Sequence, residues 1–125
     1  MATTPDHDQP TLNLAVLRGV CSGPPEIRTL ESGRRLASLA LRTQGPGAHA
    51  TSVPVTVWDP PAWFEALDTE DALVVVGTVH RRFFRTAAGA RGAKAGVEAA
   101  YVARPNRRGL TAALRRAEDA LDGLA

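Results

Sequence analysis

The stretch Ala72 to Arg85, Ala-Leu-Val-Val-Val-Gly-Thr-Val-His-Arg-Arg-Phe-Phe-Arg, changes character halfway and constrains the rest of the chain more than any other segment. Leu73 to Val76 is a β-branched run flanked by turn signals and too short for a helix, so it reads as a core strand. Beyond Gly77 the strand carries His80, Arg81, Arg82, Phe83, Phe84 and Arg85. Two readings stay open at this point. Either the phenylalanines are core and the arginines solvated, or charge and flat aromatic surface together meet a polyanion with unstacked bases.

The charge distribution bears on that choice. Net charge is only +2, but between Ala72 and Ala117 ten cations face a single acid, Glu98, a local charge of +9. A concentrated basic half is the electrostatic footprint of a nucleic-acid binder, because phosphate neutralisation supplies most sequence-independent affinity. At 125 residues the chain fits one domain with a tail or two. Cys21 is the single cysteine, which excludes an intrachain disulfide and a multi-cysteine metal site and suits a reducing cytosol. The N-terminus lacks the pattern of a secretory signal, and no apolar run approaches the ~20 residues that span a bilayer. A cytoplasmic protein with no membrane partner is expected.

Taken in order, residues 1–10 read as a disordered arm, 11–105 as the domain and 106–125 as a helical tail. Leu12 to Cys21 reads as a long strand in which Gly19 permits a bend, so that one strand serves two sides of a small barrel. Ile27 to Leu30 forms a short return, and Glu31 to Gly33 turns into the strand Leu36 to Leu41. Thr43 to Ser52 is a loop. Val53, Val55 and Val57 then alternate with Pro54, Thr56 and Trp58, which places Trp58 on the face opposite the core. Asp59 is expected to cap a short helix, Pro61 to Leu67, that offers Trp63, Phe64 and Leu67 to the interior.

After the opening strand, Thr86 to Gly96 reads as a glycine-rich basic loop. Val97 to Ala103 follows as a closing strand with Val97, Ala99, Tyr101 and Ala103 on one face. From Gly109, Leu110, Leu114, Ala117, Leu121 and Leu124 draw one apolar helical stripe, either docked on the domain or forming a dimer seam. The chain is thus expected to be all-β: a five-stranded OB-fold barrel with one short helix between strands 3 and 4, and a C-terminal helix.

The run Asn13-x5-Gly19-x5-Pro25-Glu26-x-Arg28-x4-Gly33-x2-Leu36-Ala37-x-Leu39-x-Leu41 resembles the first two strands of the bacterial single-stranded DNA-binding protein family (SSB). Val53 to Trp58 resembles its third strand, and Gly77-x-Val79-x-Arg81-Arg82-Phe83-Phe84-x4-Gly89 its fourth strand and following loop. The resemblance implies an OB-fold that associates with itself, as a homotetramer or homodimer, and binds single-stranded DNA without reading its sequence. It would serve replication, repair or recombination. Trp58 and Phe84 match the family's outer-face stacking positions, and alternation alone puts both off the core. Alternation also assigns Leu73, Val75, Val79 and Phe83 to the interior.

The family's aromatics after the second strand and at the start of the third are missing here. Since a base stack is worth roughly 1–3 kcal/mol, weaker binding is expected. The family's acidic tail, through which enzymes are recruited, is not found either, which reads as a short paralogue. The expected binding set is Trp58, Phe84, Arg34, Arg35, Arg42, Arg81, Arg82, Arg85, Arg91, Lys94 and His80. The alternative is an OB-fold protein–protein interaction module with weak or no nucleic-acid binding.

Nothing points to catalysis, a cofactor or a metal. His7 lies in the arm, His49 in a loop and His80 among arginines, with no HxxxH, CxxC or paired-carboxylate spacing. The glycines after Thr86 do not match a phosphate-binding loop.

Overall fold

Gly19 is where β1 (Ala15–Cys21) passes from one neighbour to another. Ala15 to Val20 pairs antiparallel with β5 (Ala72–Arg85), while Val20 and Cys21 pair with β3 (Arg35–Thr43). A Cβ at Gly19 would stand 2.2 Å from the carbonyl oxygen of Arg42, so only glycine lets the two backbones approach this closely. The computed structural model describes residues 9–85 and 88–123, and side chains at all of these except 82–85.

The remaining pairings complete a ring. β3 pairs antiparallel with β4 (Thr51–Trp58), β4 runs parallel to β6 (Arg91–Ala103), and β6 pairs antiparallel with β5. β2 (Glu26–Thr29) attaches to β3 outside the ring. Where β1 frays from the ladder, the Asn13 side chain takes over. Its amide nitrogen donates to Val79 O at 2.9 Å and its oxygen accepts from Val79 N at 2.8 Å, a side-chain rung continuing the β1–β5 register.

Strand alternation fills the interior. Ala37, Leu39 and Leu41 of β3 meet Val55 and Val57 of β4, Leu73 and Val75 of β5, and Val97 of β6. Phe64 and Leu67, from the β4–β5 connection, are buried in the same cluster. Each of the Val, Leu and Phe side chains contributes roughly 1.5–3 kcal/mol through removal from water. Cys21 is buried there too, and that burial, with Asp71 nearby, pushes its thiol pKa up.

Several sequence expectations are corrected. There are six strands rather than five, because the short return at Ile27 pairs with β3 as β2. The expected helix over 61–67 is a 3₁₀ turn, Ala62–Ala66, preceded by two prolines that supply no N–H. Asp59 does not cap it. With φ 48° its carboxylate turns back to accept from Arg35 N at 3.3 Å and from the Arg34 side chain. The loop expected over 86–96 is shorter, since β6 already begins at Arg91 and pairs in register from Arg85↔Arg91 to His80↔Gly96. Small residues that discourage an isolated strand are held in one by the ladder β5 offers. Val79, expected inside, is 49% exposed, because it lies beyond the last backbone rung of β1.

The face assignment of β6 is corrected by a bulge. Val76 pairs with Tyr101 but Gly77 pairs with Ala99, so Ala100 is an extra residue and alternation inverts across it. Val97, Ala99 and Val102 face the core, and Tyr101 faces out. Gly77 makes this possible: a Cβ there would lie 2.1 Å from the Glu98 carbonyl oxygen.

On that outer face sits α1 (Arg107–Asp122), begun by Asn106, whose side-chain oxygen accepts from Gly109 N at 2.8 Å. Leu110 and Ala113 pack on Val74, Val76 and Tyr101. The five-residue stripe is therefore only half docked: Leu114 is 61% and Leu121 50% exposed. Leu124 lies outside the described residues, as does most of the expected N-terminal arm.

Gly77→Ala is expected to destabilise the fold by roughly 1–3 kcal/mol through overpacking against backbone, whereas Gly23→Ala, which meets nothing within 4 Å, leaves the urea midpoint unchanged. Equal midpoints for the two variants would refute the bulge. The raised Cys21 pKa sets a pH dependence. The unfolded chain loses this proton first, so stability is full below about pH 8.5 and falls as pH rises toward the folded value. Cys21→Ala should remove that alkaline decline in unfolding titrations.

Candidate nucleic-acid interface

The outer face of β4 ends at Trp58, which lies opposite Leu36 in the β3–β4 register. The indole is half-buried and carries the Arg34 guanidinium 4.5 Å above its ring. Asp59 fixes that arginine, accepting from Nε at 3.1 Å and from an Nη at 3.0 Å. The unusual backbone at Asp59 is thus what aims its carboxylate at Arg34, and Arg34 in turn is what covers the indole. A cation over tryptophan is worth about 0.5–1 kcal/mol at an exposed site.

Trp58 forms a ridge between two clefts. One, of about 210 Å³, is lined by Leu36, Thr56, Trp58, His80, Arg81, Gly96, Val97 and Glu98. Here His80 Nε2 lies 2.8 Å from Thr78 Oγ1 and 3.5 Å from Glu98, and Arg81 is exposed. The other, of about 380 Å³, runs over Ala99 and Ala100 between Trp58, Trp63 and Tyr101. A third cleft of about 390 Å³ shares Trp63, Tyr101 and Val102 and continues to Arg104, Asn106 and Arg108.

The structure brings together Trp58, Arg34, His80 and Arg81. Arg91 and Lys94 lie on β6 and are exposed, with no ion pair to a described residue. Lys94 is two residues from Gly96 and Arg91 five, so they follow the hairpin away from Trp58 by roughly 7 and 17 Å at about 3.4 Å per residue.

Arg82, Phe84 and Arg85 are in β5 opposite Lys94, Gly92 and Arg91 respectively, but their side chains, and that of Phe83, lie outside the described residues.

Arg35 and Arg42 stand apart. Arg35 is paired with Glu65. Arg42 is bound through one Nη to both oxygens of Glu70, at 3.1 and 2.9 Å, and this hydrogen-bonded carboxylate raises its pKa further. Arg42 pairs with Ser52 at the far end of β4, six residues or roughly 20 Å from Trp58.

Sequence reading missed Trp63 and Tyr101 as aromatics of this face, offering Trp63 to the interior and grouping Tyr101 with Val97, Ala99 and Ala103. Trp63 packs against the core's edge while its ring bears Arg104 at 5.1 Å, and Tyr101 bears Arg116 at 4.8 Å. The signal that could have exposed Tyr101 is Gly77, a glycine in mid-strand where a bulge is common. Among the described residues, no cluster of three or more His, Cys, Asp or Glu could hold a metal ion, and no helix is long and apolar enough to cross a membrane.

No family model matches the chain, and no curated protein does. Among solved structures, the wild-type single-stranded DNA binding protein from Thermus aquaticus matches with a TM-score of 0.62 and 25% identity. The fold is similar to that of single-stranded DNA-binding proteins. The match covers 77% of this chain and 41% of that one, so this chain spans about two fifths of its neighbour's length. A deletion mutant of the same Thermus aquaticus protein matches with a TM-score of 0.61 and 25% identity, over 77% of this chain and 42% of that one.

Asp59→Asn, in a Trp63→Phe background that leaves Trp58 the sole tryptophan, is expected to release Arg34 and increase acrylamide quenching of Trp58. Asparagine tolerates positive φ, so the turn is kept, and the lost surface pair costs at most about 1 kcal/mol. Unchanged quenching would show that Arg34 does not cover the indole in solution.

Proposed function

We propose that this protein binds single-stranded DNA without sequence preference, with Trp58 as a stacking platform and the β5–β6 hairpin as the cationic track. The observation that carries the reading is Trp58, an outer-face aromatic with a guanidinium over its ring, in a fold like that of single-stranded DNA-binding proteins. Bases stack on any π face, so such a platform is tolerant of sequence, and phosphates are met by the cations of the adjoining β5–β6 hairpin.

The arginines divide by their partners. Arg81, Arg91 and Lys94 offer charge that no described carboxylate neutralises, and Phe84, Arg82 and Arg85 belong to the same track by their position on β5. Arg34, Arg35 and Arg42 reach a phosphate only by exchanging a carboxylate for it, which leaves little net gain. The expected role is non-enzymatic, in replication, repair or recombination, at the nucleoid in the cytoplasm. Self-association as a dimer or tetramer belongs to the same reading, on the strength of the sequence resemblance.

A second reading, a protein-interaction module, is favoured by Leu114 and Leu121, exposed seven residues apart on α1. Weak or no binding of oligo-dT, together with a gel-filtration volume that Leu114→Glu changes, would support it over the first.

The test is an anisotropy titration with labelled oligo-dT at several salt concentrations. Trp58→Ala should weaken binding by roughly 1–3 kcal/mol, and Phe84→Ala by a similar amount. Arg81→Ala should flatten the salt dependence by about 0.7 in log–log slope, whereas Arg42→Ala leaves the slope unchanged. A wild-type protein that binds no oligo-dT at low salt overturns the proposal.

A further inference from the structure

We infer that the strand does not end at Trp58 but continues across a second aromatic and cationic track, over Trp63 and Tyr101 and onto the basic face of α1. This extension rests on the single-stranded DNA reading. Three observations carry it. The clefts are contiguous: the one beside Trp58 and the one beside Arg104 share Trp63, Tyr101 and Val102 as walls. The walls repeat one device, a ring with a guanidinium over it, at Trp58 with Arg34, Trp63 with Arg104 and Tyr101 with Arg116. A guanidinium in that position presents charge to a phosphate and a flat face to a base.

The third observation is uncompensated charge. Arg34 owes part of its place to Asp59, but Arg104 and Arg116 have no ion pair with a described residue, and neither has Arg108. Past Arg108 the track meets a furrow of about 610 Å³ along α1, between Arg107, Arg108, Arg115 and Arg116, where Asp119 is the one acid among the described lining residues. Cations held beside half-buried rings, without an ion pair to a described acid, repel one another and favour a polyanion that carries π surfaces. A protein partner would need a matching acidic surface and would leave the rings without their stacking partners. Single-stranded nucleic acid supplies both requirements along one chain.

The device depends on the bulge and on α1 together. Without Ala100 as the extra residue, Tyr101 would face the core, and without α1 no Arg116 would reach it.

The experiment uses the full wild-type chain with a long oligo-dT carrying 5-iodouracil, photo-cross-linked and mapped by peptide mass spectrometry. Adducts at Trp63 or Tyr101, in addition to Trp58 or the β5–β6 hairpin, are expected. In the triple variant R104A, R108A, R116A, the salt slope for the same oligonucleotide should fall by about 2, at about 0.7 per cation removed. Adducts confined to Trp58 and the hairpin, with an unchanged salt slope in the variant, overturn the extension and leave the proposed function standing. No binding by the wild-type chain overturns both. If the variant fails to fold, the wild-type adduct map alone decides.

Discussion

The approach of Gly77 to the Glu98 carbonyl governs more of this molecule than any pair of side chains. With no Cβ at that point, β6 accommodates one residue more than β5 needs, and every side chain after Ala100 changes face. Tyr101 turns outward and Val102 takes the core place opposite Val75. The outward patch of Val74, Val76 and Tyr101 is then apolar and must be covered, and α1 covers it. One backbone contact thus decides the end of the sheet's core, the docking of the helix and the position of an aromatic ring beside Arg116.

Side chains in this protein seldom carry charge alone near the indole. Trp58, Arg34 and Asp59 form a small layered unit in which a carboxylate orients a cation and the cation covers a ring. Such a unit is economical in entropy, because the long arginine side chain is ordered before any ligand arrives. It also has a cost in affinity, since the covered face must be uncovered or replaced by the guanidinium plane itself. On β6, by contrast, Arg91 and Lys94 have no ion pair with a described residue, and in the proposed function they supply plain long-range attraction. Preorganised contact and diffuse steering are therefore placed on different elements.

What could be read from the sequence follows from how local each determinant is. Alternation in β3 and β4 is clean, so Leu39, Leu41, Val55 and Val57 were legible as core and Trp58 as outward. Gly19 was legible as a bend, and the pairing of β1 with both β5 and β3 shows what the bend serves. The outward turn of Tyr101 was not legible from alternation within β6, because a bulge moves a residue by pairing with a distant strand, and its one trace in the sequence is Gly77 on β5. The same cause hid the start of β6: Gly92, Ala93 and Ala95 look like a loop until the ladder with β5 is known. Charge was legible as a total but not as pairs. Arg42 reads as a free cation in sequence, and only the fold brings Glu70 to it.

The rung that Asn13 builds with Val79 has a chemical lifetime as well as a geometry. A side-chain amide can both donate and accept, and this one does both against the two polar groups of a single backbone residue. Asparagine is among the thermolabile residues, and hydrolysis of its amide would leave a carboxylate, an acceptor only. The carboxylate would keep the bond from Val79 N–H and set a negative oxygen against the Val79 carbonyl. The last rung between β1 and β5 would then lose one of its two bonds by ageing, without any change in the encoded sequence.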